Sequence, residues 1–93
     1  MKIVKLTNRF NAKKKYGFEI GVKFNSYWDG NEIEHACRNM LGKYSFFHDR
    51  NNSAWYGETG KAKDSKTEMY PYWIYFKKES YLTMVLLKLN QEN

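Results

Sequence analysis

At 93 residues, with sixteen Lys or Arg against ten Asp or Glu and a net charge of +6, the chain is expected to form one domain that buries roughly 60 to 65% of its unfolded surface. Cys37 is the single cysteine, which excludes an intrachain disulfide and a Cys-based metal cluster within one chain. Met1 to Asn11 has no signal-peptide apolar run, and no stretch reaches the roughly 20 apolar residues of a membrane span, so a cytoplasmic protein without membrane association is expected.

The charge is not spread evenly. Lys2, Lys5, Arg9, Lys13, Lys14, Lys15 and Lys23 face one acid, Glu19, within residues 1–23, and the rest of the chain balances itself. Lys2 to Thr7, with Ile3, Val4 and Leu6, predicts a first strand, and Asn8 to Lys15 a polar, basic connection. Tyr16 to Phe24 alternates Phe18, Ile20, Val22 and Phe24 with Gly17, Glu19, Gly21 and Lys23, which predicts a strand with one core face and one wet face. Gly17 and Gly21 would leave a shallow groove on the wet side if nothing covers it.

Asp29 to Gly42 predicts a helix. Asp29 stands as N-cap with Glu32 three residues on, Gly42 as C-cap, and Ile33, Ala36, Cys37, Met40 and Leu41 as one apolar stripe. Tyr44 to Phe47 and Ser53 to Glu58 predict two short strands joined by the turn residues Asp49 to Asn52. Thr59 to Lys66 reads as a loop carrying Lys61, Lys63 and Lys66. Met69 to Phe76 is aromatic on both faces, and Pro71 points to the start of a strand or an edge position. Tyr81 to Leu89 fits a helix burying Leu82, Val85, Leu86 and Leu89, with Leu87 left on the polar side, or else a strand; its Leu and Met content favours the helix.

This order predicts an α+β two-layer sandwich: an antiparallel sheet of four to five strands with two helices on one face, close to a ferredoxin-like arrangement, and a second face that is open or used. Residues 1–93 read as a single domain, with 1–15 a basic strand and loop before a compact α+β core over 16–90.

One strand ends in Val22-Lys23-Phe24, a capped helix runs from Asn31 to Leu41, and an aromatic strand surrounds Ala54-Trp55-Tyr56-Gly57. Trp73-Ile74-Tyr75-Phe76 then runs into Lys78-Glu79-Ser80 and a closing helix that ends Leu86-Leu87-Lys88-Leu89. In element order and aromatic-strand character this stretch, roughly residues 16–90, resembles the compact ferredoxin-like early accessory proteins of tailed phages. The resemblance implies a non-enzymatic protein in the host cytoplasm that binds a host macromolecule, to neutralise a defence system or redirect host machinery. It transfers no catalytic residue.

The catalytic inventory is thin. His35 and Cys37 stand two apart on the predicted helix and cannot meet. His48, Asp49 and Arg50 with Lys61 are the remaining candidates, for a small metal-independent ribonuclease site. Two distant His and one buried Cys do not make a zinc site, and Gly57 to Lys61 lacks the length of a phosphate-binding loop. No enzyme activity and no cofactor are therefore expected. The basic loops carry the stronger signal: Arg9, Lys13, Lys14, Lys15, Lys61, Lys63 and Lys66 can line a phosphate backbone while rings such as Tyr16, Trp55, Trp73 and Tyr75 stack on bases. Tyr27, Trp28 and Tyr56 are further candidate rings. Nucleic acid is the expected partner, RNA or single-stranded DNA before duplex. The alternative is a host protein docked on the aromatic sheet face or the last helix, by a monomer or a homodimer.

Overall fold

The computed structural model describes residues 1–24, 27–42, 53–59 and 72–92. Within them the chain runs β1 (Lys2–Lys5), α1 (Asn11–Lys14), β2 (Ile20–Phe24), α2 (Tyr27–Leu41), β3 (Trp55–Thr59), β4 (Tyr72–Phe76) and α3 (Glu79–Glu92). The strands form one antiparallel sheet in the order β1-β2-β4-β3. This is the predicted α+β plan with four strands, and α2 and α3 pack on one face. The predicted strand at Tyr44 to Phe47, its turn and the loop of Lys61, Lys63 and Lys66 lie outside the described residues.

Alternation sorts the side chains into two cores. Ile20, Val22, Phe24, Trp55, Ile74 and Phe76 point to the helices and meet Ile33, Ala36 and Cys37 of α2 and Leu82 and Val85 of α3. The apolar stripe read for α2 is thus the buried one. Helix α3 settles the ambiguous last segment, because Leu82 and Val85 are buried while Leu86 and Leu89 pack at the rim. Leu87 is 56% exposed, on the polar side as the periodicity predicts.

Two local readings of α2 differ in outcome. The helix begins at Tyr27, so Asp29 lies inside its first turn and not at the N-cap. Gly42 does end the helix in the left-handed region, at φ +83°, and its carbonyl accepts a hydrogen bond from the Trp55 indole N–H at 2.8 Å. That bond satisfies the Gly42 carbonyl and ties β3 to the end of α2.

The second sheet face is not open. Leu6, Ala12, Phe18, Tyr56 and Tyr75 form a separate buried core there, with Phe10, Tyr16 and Trp73 packed around it. The β1-β2 connection therefore folds across the sheet as its other cover. Phe18 departs from the expected alternation for a backbone reason. Gly17 takes φ +75° and the β2 ladder begins only at Ile20, so Phe18 precedes the strand and turns to the opposite side from Ile20. There it meets Tyr56 edge-on, with centroids 4.9 Å apart.

Gly21 is likewise not a groove. A Cβ at that position would stand 3.1 Å from Leu6 Cδ2, 3.1 Å from Tyr75 Cδ1 and 3.2 Å from Trp73 Cε3. The missing side chain lets the cover and two rings converge on the strand. β4 lies between β2 and β3, so the edge alternative for its position is excluded, and the strand begins immediately after Pro71. Gly21→Ala should overpack this point and destabilise by about 1–3 kcal/mol, read as a lower denaturation midpoint with unchanged cooperativity.

Candidate nucleic-acid interface

The predicted basic connection is half buried by design of its own sequence. Ala12 and Tyr16, four residues apart across α1, face the sheet together with Leu6 and Phe10, while Lys13, Lys14 and Lys15 point outward. Phe18 N donates to Ala12 O at 3.0 Å and Gly17 N to Lys13 O at 2.9 Å, which closes the segment onto itself. Lys13 and Lys14 sit in the last turn of α1, next to carbonyls that favour cations. Arg9, Lys13, Lys14 and Lys15 are all exposed.

Two further contacts fix the cover. Leu6 N donates to Glu19 O at 3.0 Å, extending the pairing beyond β1. The Lys77 ammonium donates to Tyr16 O and lies 4.7 Å from the Phe18 ring centroid, a cation held by the fold and not offered to a ligand. Glu19, the lone acid of residues 1–23, is directed elsewhere: its Oε2 accepts from Glu79 N at 3.4 Å, at the start of α3.

The predicted rings divide sharply. Trp55 is 1% exposed in the helix-side core, and Tyr75 is 6% exposed under the cover, so neither is an exposed stacking ring. Tyr56 is also buried. The reason is shared: each stands on a strand covered on the face where its ring points. Tyr16 is half-buried and meets Tyr56 edge-on at 6.2 Å. Trp73 is half-buried, stacked on Tyr75 at 5.6 Å and 7° and met by the edge of Phe10 at 5.7 Å. Of the predicted set, then, the structure brings Arg9, Lys13, Lys14, Lys15, Tyr16 and Trp73 to one side of the sheet. Lys61, Lys63 and Lys66 lie outside the described residues, as do His48, Asp49 and Arg50.

Two further cations, counted in the sequence but not placed by it, are brought together by strand pairing. Lys2 pairs in register with Lys23, and Lys23 with Trp73. Val22 and Phe24 belong to the helix-side core, so this row lies on the covered side of the sheet. Only strand pairing across a fourteen-residue connection brings Lys2 to Lys23.

The Cys37 thiol is buried, and burial first, with the Glu34 carboxylate second, pushes it up to about 12. It stays a protonated core group, apart from the exposed His35. Among the described residues no group of three or more His, Cys, Asp or Glu converges where a metal could sit, and no helix is long and apolar enough to cross a membrane.

Because residues 1–15 supply an edge strand and part of the second core, their deletion cannot report on charge alone. It should abolish the cooperative thermal transition, whereas Lys13, Lys14 and Lys15 changed together to Ala should retain it, as followed by circular dichroism. Compared with protein-family models, with curated proteins and with solved structures, the chain matches none.

Proposed function

We propose that this chain is a small non-enzymatic protein that binds nucleic acid, RNA or single-stranded DNA before duplex, on the basic layer formed by its first 23 residues. The observation that carries the reading is the placement of charge. Arg9, Lys13, Lys14 and Lys15 stand exposed on a segment that is packed against the sheet, while the segment's one acid is turned toward α3. Cations held on a folded layer lose little freedom on meeting a phosphate backbone, and each contact releases condensed counterions. The proposal extends to fold and origin. Strand β4 lies between β2 and β3, which run parallel to each other through α2, a split βαβ unit of ferredoxin-like type with β1 added at its edge. On the resemblance in element order read from the sequence, the proposal is of a phage accessory protein acting in the host cytoplasm, on a host defence or nucleic-acid enzyme.

A second reading has its own observation. Met84 is 45% exposed and Leu87 56%, one turn apart on α3, with uncharged Ser80 and Thr83 also exposed on that helix. This surface suits docking on a host protein.

Titration of fluorescent single strands over a range of salt separates the two. The wild-type chain should bind with a log–log salt slope near −0.7 per phosphate contact, and the Lys13, Lys14, Lys15→Ala variant should lose roughly 2 from that slope's magnitude with its fold intact. Met84→Ser and Leu87→Ser should leave this binding unchanged. No binding to any strand at low salt would remove the nucleic-acid reading.

A further inference from the structure

The row Lys2, Lys23, Trp73 breaks a rule of sheet pairing. Like charges directly opposite on neighbouring strands repel, and natural sheets place opposite charges or apolar pairs there. Lys2 is exposed and Lys23 half-buried, and among the described residues neither is ion-paired to a carboxylate. The repulsion therefore goes uncompensated within the described fold, the kind of local conflict that marks a site for a ligand of opposite charge.

The third member of the row gives that ligand a second handle. Trp73 keeps part of its indole accessible while Tyr75 and Phe10 hold the ring in place, so its orientation is set before anything binds. Among the described rings, Phe10, Tyr16 and Tyr81 are also half-buried, but Trp73 alone shares a sheet row with two unpaired ammonium groups. Lys23 is one strand spacing from it and Lys2 two, roughly 5 and 10 Å between backbones. A π-surface beside two cations is the chemistry that takes a nucleobase and its flanking phosphates. Bases inside a duplex are already stacked on each other and cannot reach such a ring.

Resting on the nucleic-acid reading above, we propose that Lys2, Lys23 and Trp73 form a nucleotide subsite for an unpaired strand. One base stacks on the indole, its neighbouring phosphates lie on the two ammonium groups, and the strand continues over Lys13 to Lys15.

The test uses the full chain, a fluorescein-labelled oligouridylate or oligothymidylate and a labelled duplex of equal length, followed by anisotropy. Trp73→Leu should weaken single-strand binding on the order of tenfold or more and leave duplex binding nearly unchanged. Lys2→Glu should weaken it too, yet raise the melting temperature or leave it unchanged, because a Glu opposite Lys23 turns repulsion into attraction. A purely structural role for the row would not separate affinity from stability in this way. Lys2→Gln with Lys23→Gln should flatten the salt slope by roughly 1.4, and this pair carries the test if Trp73→Leu fails to fold. Single-strand binding unaltered in these variants, while the Lys13, Lys14, Lys15→Ala variant loses it, would overturn the subsite and leave the basic layer standing. Equal losses on duplex and single strand would overturn it as well. Absence of binding by the wild type would take down both.

Discussion

Everything in this fold follows from a central strand that must be buried on both faces. Trp73, Ile74, Tyr75 and Phe76 of β4 put large rings on both sides of a sheet only four strands wide among the described residues. Each ring left in water would forfeit on the order of 2 kcal/mol or more of burial free energy, so the sheet needs two covers. Helices α2 and α3 supply one. The other comes from the chain before β2, and that is the segment in which the positive charge is concentrated.

That constraint joins two properties that would otherwise look unrelated. A segment that has to fold across an aromatic sheet needs small or apolar groups inward, here Leu6, Phe10, Ala12 and Tyr16, and groups that cannot be buried outward, here Arg9 and Lys13 to Lys15. The charges thereby become part of a fixed surface. The same constraint consumes the rings: Trp55, Tyr56 and Tyr75 hold the two cores together, and Trp73 stays partly accessible at the rim of the second core, packed by Tyr75 and Phe10.

Much of the helix side was legible in the sequence. Period-2 alternation in Ile20, Val22 and Phe24 and the 3.6-period stripe of α2 each point to one face, and Gly42 marks the helix end where it falls. The covered side was harder to read because its signals are irregular. Leu6, Phe10, Ala12 and Tyr16 recur at intervals of four, two and four, diluted by cations, and resemble a polar loop unless the sheet face that they cover is already known. Gly17 also shifts Phe18 out of phase with Ile20, so a strict alternation assigns it to the wrong core. The Lys2–Lys23 pair depends on register across a long connection, information that no local pattern contains.

The basic segment is a folded layer of the molecule and unfolds with it. Native-state hydrogen exchange on the free protein tests this through three amides: Leu6, bonded to Glu19 O, Gly17, bonded to Lys13 O, and Phe18, bonded to Ala12 O. All three should exchange with the same opening free energy as the amides of β4, the signature of one cooperative unit. Exchange of these amides orders of magnitude faster, with β2 and β4 still protected, would contradict it.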